Sequence, residues 1–165
     1  MFQLYQEIFT HKIRYNSKIC MLTDEKNIIF NEDIIKSLKL TIINLKSIDE
    51  IDNINNLFDF IILENIFDNL TTYENIIYKS KTVLKETGII MFINDIILSH
   101  KNCIIENLYY YLYFYTGIYL QTIYIDDLFE KLRENELKVI DNYRLQSKHN
   151  FLKNTDMFLI SCIIR

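Results

Sequence analysis

The chain has no proline, no tryptophan and no alanine, and it holds two glycines, Gly88 and Gly117. No low-complexity linker, domain boundary or internal repeat interrupts its 165 residues, a length that suits one domain with one sizeable core. Cysteine is scarce as well. Cys20, Cys103 and Cys162 are isolated, with no CxxC and no Cys/His pairing, so neither a disulfide framework nor a metal site is expected. Inert thiols in a reducing, cytoplasmic compartment are the expectation. The charge lacks a basic stripe: the net value is -4 and the pI about 5.4, which leaves nucleic acid without an electrostatic footprint. The N-terminal MFQLYQEIFTHKIRYN alternates apolar and polar residues and has no secretory h-region. Residues 108–120, the longest apolar and aromatic stretch, are too short and too Tyr-rich for a membrane span.

What is present is ordinary for a folded protein. Half the residues are hydrophobic and 24% are charged, which excludes disorder by composition. Ile and Asn abound, a bias that suits AT-rich coding, so β-branched Ile must also fill helices. Residues 1–15 read as a helix and 18–22 as a strand. Asn31 caps a helix with Ile34, Ile35 and Leu38 inward. Residues 40–45 read as a strand, and 46–56 as a short helix or turn-rich connection. Residues 60–63 and 89–93 are apolar runs of the kind buried on both faces of a parallel sheet. Between them Thr71 and Glu74 suggest a capping box, and Tyr73, Ile76, Ile77 and Leu84 share a helical face. Gly88 stands where a glycine would end that helix in the left-handed region. Residues 99–115 read as a Tyr-rich helix. Asp126 or Asp127 caps another, with Leu128, Phe129 and Leu132 inward. Residues 137–145 and 157–164 close the chain as strands. The expected fold is an α/β layered sheet, mostly parallel, with helices on both faces and an antiparallel pair at one edge.

The stretch 58–95 joins a strand opened by Phe58-Asp59, a helix, the segment Leu84-Lys85 to Gly88, and a second apolar strand ending in Asn94-Asp95. Asp127-Leu128-Phe129-Glu130-Lys131-Leu132 leading into Val139-Ile140 follows later. In this order the motifs resemble the back half of a class I S-adenosylmethionine (SAM) methyltransferase over about two-thirds of the chain. Another doubly wound α/β domain of similar pattern is the alternative. The resemblance implies a Rossmann-like methyltransferase-type sheet. It also implies a glycine-rich cofactor turn after the first strand, where a backbone without Cβ lets the ligand approach. Here that turn reads Met21-Leu22-Thr23-Asp24-Glu25-Lys26, with no glycine and two carboxylates. An acidic residue after the second strand is implied too, and Lys46-Ser47 stands there. One strand–helix unit before Phe58 is missing.

The layout is similar to the methyltransferase-like N-terminal domain of the anamorsin family, cytosolic iron–sulfur assembly factors that lack the cofactor motif. That family carries a cysteine-rich region with no counterpart before Arg165, so the resemblance implies the interaction module alone or a product cut before that region. The first expectation is thus a non-catalytic interaction domain with a protein partner and no cofactor. The alternative is a SAM-dependent methyltransferase with an atypical loop.

Under the alternative, Thr23, Asp24, Glu64 and Asn65 are the candidate cofactor-side residues, with Asp68 beside them. The carboxyl ends of parallel strands face the ligand crevice. Asn94-Asp95 is placed likewise, and for Glu64, Asn65, Asp68 and Asn94-Asp95 plain loop residues are the commoner reading. His11, His100 and His149 are scattered without ligand spacing. The cluster containing Tyr109, Tyr110, Tyr113 and Phe114 is the candidate interaction face, the alternative being a thick helix packed on the sheet with Tyr hydroxyls reaching water. Neighbours on a helix point about 100° apart, so some of these rings face outward.

Overall fold

In the computed structural model the described residues are 11–22, 30, 32–64, 66, 73–98, 123–145 and 155–164. They form strands β1 (Lys18–Leu22), β2 (Thr41–Leu45), β3 (Phe58–Glu64), β4 (Leu84–Leu98), β5 (Ile123–Tyr124), β6 (Leu137–Leu145) and β7 (Thr155–Ile164). The helices are α1 (Glu32–Leu38), α2 (Tyr73–Thr82) and α3 (Ile125–Glu134), with a 3-10 turn at Ile48–Asn53. One sheet runs in the order β2-β1-β3-β4-β7-β6, and β5 pairs β4 off this path. β2, β1, β3 and β4 are mutually parallel, while β7 lies antiparallel to both β4 and β6. This is the mostly parallel sheet with an antiparallel edge pair that the strand pattern suggests.

Central strands of such a sheet are covered on both faces, so their sequence is apolar without alternation. In β3, Ile61, Ile62 and Leu63 are fully buried, each worth roughly 1.5–3 kcal/mol of transfer free energy. On one face Phe58, Ile61 and Leu63 pack against Tyr73, Ile76 and Ile77 of α2 and Leu128 and Leu132 of α3. On the other, Phe60 and Ile62 pack with Ile13, Phe30 and the half-buried Ile34, Ile35 and Leu38 of α1. Helix α3 has Asp126 and Asp127 in its first turn and Lys131 and Arg133 in its last, matching the helix dipole at both ends. Its N-cap is Tyr124, with no side-chain cap bond, so neither aspartate caps it.

Between β2 and β3 the chain makes only the 3-10 turn, capped by Ser47, whose Oγ accepts from Asp49 N at 3.1 Å. No strand–helix unit fits there, and β2 is left at the sheet edge. Lys79 of α2 clamps the turn by donating to Asp49 at 2.9 Å and Asp52 at 2.7 Å. Of the expected helix over residues 1–15, residues 11–15 are described: His11 and Lys12 are helical, while Ile13 to Tyr15 have left the helix for the turn into β1. The ammonium of Lys12 pairs with Asp141, lies 3.3 Å from Ser161 Oγ, and stands 5.6 Å from the Tyr143 ring centroid. It thereby ties the start of the described chain to the antiparallel pair.

The expectation for Gly88 changes. Helix α2 ends at Thr82, and Gly88 lies inside β4 without a left-handed φ. Phe58 is opposite Leu84 and Phe60 opposite Ile89, so residues 85–88 bulge out against the single Asp59. A Cβ on Gly88 would stand 2.6 Å from Leu84 Cδ1 and 2.9 Å from the Lys85 carbonyl oxygen, so the constraint there is space. The left-handed positions belong instead to Asn16 (φ 62°), Lys39 (φ 49°) and Glu136 (φ 58°). Lys39 ends α1 in a Schellman-type turn, with Leu40 N donating to Ile35 O at 3.0 Å.

Candidate functional site

From β1 the chain crosses outward to β2, whereas from β3 it crosses the other way to β4. The strand order therefore reverses between β1 and β3. A parallel α/β sheet opens its ligand crevice at such a switch point, outside the carboxyl ends of the strands. Those ends are Leu22, half-buried, and Glu64, half-buried, with Leu45 buried at the end of neighbouring β2 and Ile66 buried just past β3.

Glu64 ends β3 beside this switch point, as its place after the β3 run implies, and it makes an interaction of its own. Thr23, Asp24, Asn65 and Asp68 lie outside the described residues, as do Tyr109, Tyr110, Tyr113, Phe114, Asn31, Thr71, His100 and His149. His11 is exposed. Asn94 is not at a strand end. β4 continues to Leu98, and Asn94 is buried inside it opposite Phe158 of β7. The apolar run 89–93 could not reveal this extension, because its cause is the long-range pairing with β7 and β5.

Glu50 is not among the residues that the sequence pattern singles out. The 3-10 turn folds it back so that its Oε2 lies 3.5 Å from Lys46 N, at the carboxyl end of β2. Its neighbours Asp49 and Asp52 are taken up by Lys79. A carboxylate thus stands beside the end of the second strand, although the residues directly after that strand are Lys46 and Ser47. The signal in sequence was the capping pattern Ser47-x-x-Glu50, which marks a turn that reverses onto the strand end.

At the other end of the strands, Asp59 follows Phe58 at the start of β3. Its Oδ2 accepts from Lys18 N at 2.8 Å and its Oδ1 from Lys85 Nζ at 2.6 Å. Burial pushes this carboxyl up, but the Lys18 N–H and then the Lys85 ammonium outweigh it, and it titrates below its ordinary range. Cys20 and Cys162 sit in the core on the α2/α3 face, and burial pushes each thiol up to about 12. Among the described residues no group of three His, Cys, Asp or Glu could hold a metal, and no helix is long and apolar enough to cross a membrane.

No family model and no curated protein sequence matches the chain. Solved structures do match in fold. A SAM-dependent methyltransferase from Methanosarcina mazei superposes with a TM-score of 0.64 at 9% identity, over 96% of this chain and 98% of its own. The cyclopropane synthase MmaA2 from Mycobacterium tuberculosis gives 0.67 at 10% identity, over 98% and 82%. Magnesium protoporphyrin IX methyltransferase from Synechocystis, solved with bound S-adenosylhomocysteine (SAH), gives 0.62 at 7% identity, over 99% and 81%. The fold is thus of the class I methyltransferase type. These similarities lend no support to the anamorsin resemblance or to an iron–sulfur assembly role.

Proposed function

We propose that this domain is a SAM-dependent methyltransferase whose cofactor lies in the switch-point crevice between β1 and β3. The observation that carries the reading is the Glu50 carboxylate, brought by the 3-10 turn to the end of β2. Paired hydroxyls of a ribose are hydrogen-bond donors, and a carboxylate there is their natural acceptor. Glu64 at the end of β3 would face the other side of the same crevice, where it could orient a methyl acceptor or take its proton. Bound SAM would supply an electrophilic methyl group. The two buried thiols suit a reducing, cytoplasmic setting.

A second reading is a methyltransferase-like interaction domain without cofactor. What favours it is the glycine-free segment Met21-Leu22-Thr23-Asp24-Glu25-Lys26, together with the absent strand–helix unit before β3. Its partner would be a protein, docked through the face containing Tyr109, Tyr110, Tyr113 and Phe114.

Calorimetric titration of the folded chain with SAM and SAH separates the two. Methyl transfer requires binding in the micromolar range, weakened about tenfold in Glu50→Gln, where a hydrogen bond to a charged acceptor is lost. No heat from a chain with intact circular dichroism removes the enzyme reading.

A further inference from the structure

A cleft of about 520 Å³ opens at the amino ends of β1, β3 and β4, the opposite end of the strands from the switch point. Its size falls in the range of small-molecule sites, roughly 300–1,000 Å³. Buried Phe60 and half-buried Ile89 supply apolar wall, and Lys12, Arg14 and Lys85 supply positive charge, against one lining carboxylate, Asp59. Lys85 is held by Asp59 and Lys12 by Asp141. Arg14 is exposed, and its guanidinium has no anionic partner among the described residues. Glu86 is exposed and does not line the cleft. The chain as a whole is acidic, and with both lysines paired the unbalanced positive charge of this cleft is that of Arg14.

The turn that carries Arg14 is built rather than loose. Ser17, itself buried, accepts from Arg14 N at 3.2 Å and donates to Arg14 O at 2.7 Å. Asn16 takes the left-handed conformation and donates its N–H to Leu38 O at 2.8 Å, fixing the turn to α1. Tyr15, on the same turn, is 55% exposed, with the Lys39 ammonium 5.3 Å from its ring centroid. A guanidinium carried on a fixed backbone turn, in a cleft that two ammonium groups also line, suits a dianionic phosphate, which takes paired N–H donors. An exposed ring next to apolar wall suits a flat apolar group on that phosphate.

We propose that this cleft binds a small aromatic phosphate monoester, with Arg14 gripping the phosphate and Tyr15 packing on the ring. The site is separate from the switch-point crevice, so its existence does not depend on the methyltransferase reading. Phenyl phosphate is the probe, titrated into the full isotope-labelled chain and followed by amide NMR. Saturable shifts at Arg14, Tyr15, Asn16 and Thr87 are expected, with weaker binding of inorganic phosphate and of phenol. Arg14→Gln, an exposed change that leaves the core alone, weakens phenyl phosphate about tenfold, the loss of a hydrogen bond to a charged group. Absence of saturation, shifts centred on Leu45 and Glu64 instead, unchanged affinity in Arg14→Gln, or equal affinity for inorganic phosphate would each overturn the proposal.

Discussion

Asp59 and Lys85 meet across the β3–β4 bulge, Oδ1 to Nζ at 2.6 Å, while the other Asp59 oxygen holds Lys18 N of β1. One carboxylate therefore joins three neighbouring strands at the point where β4 departs from regular register. The Phe-Asp start of β3 and the Leu-Lys that opens β4 are thus two halves of one contact. Both side chains are partly exposed, so solvent limits its strength.

That contact predicts an acid-sensitive component of stability. The folded chain binds the Asp59 proton more weakly than the unfolded chain does, because its pKa is depressed. The stabilisation is then full above the ordinary value of 3.8 and lost as pH falls through the lower folded value. Asp59→Asn should cost about 1 kcal/mol at neutral pH, where a partly exposed charged hydrogen bond is removed. Urea melts at neutral pH and at successively lower acid pH check this. The variant's deficit should shrink toward acid, and a deficit that stays constant would show that Asp59 acts by packing alone.

Gly88→Ala tests the steric reading of the bulge. The new methyl would meet Leu84, which is buried and cannot swing into solvent, and the Lys85 carbonyl, which is backbone. Overpacking of this kind costs about 1–3 kcal/mol. Chemical denaturation of the variant should show that loss. A neutral result would mean that Leu84 repacks freely.

Local pattern sufficed wherever one short-range rule governed. The edges of β1 and β6 and the buried run of β3 follow from apolar run and alternation, and the absent unit before β3 from the count of strands. Glu64 lands at its strand end for the same reason. The failures have a common physical cause. Following a helix, Gly88 reads as a conformational position, but its constraint is space against Leu84 and the Lys85 carbonyl. Asn94 reads as a strand end because the apolar run stops there, but pairing with β7 carries the strand onward. Lys12 finds Asp141 across 129 residues, which no window along the chain can see. Glu50 reaches the end of β2 only because the turn folds back.

With glycine so scarce, Lys39 closes α1 in the left-handed region, at φ 49°. A side chain there costs about 1–2 kcal/mol relative to right-handed backbone, which glycine avoids. Lys39→Gly forfeits the ammonium over the Tyr15 ring, an exposed cation–π contact worth about 0.5 kcal/mol. The net expectation is a gain of about 0.5 kcal/mol, read as a higher midpoint in thermal or urea melts. A loss would mean that the contact with Tyr15 outweighs the backbone strain.

Cys20 and Cys162 lie in one core cluster, Cys20 on β1 and Cys162 on β7, both under α2 and α3. Only a thiolate attacks an alkylating reagent, and burial holds both thiols protonated up to about 12. At mildly alkaline pH the thiolate fraction is on the order of one in ten thousand, and the reagent must also reach the sulfur. Iodoacetamide should leave both residues unmodified in the native chain and alkylate both in denaturant, with peptide mass spectrometry separating them from Cys103. Their labelling in native buffer would then report opening of the core under α2 and α3, where both sulfurs are buried. Equal labelling rates in native buffer and in denaturant would refute the packing described for this face.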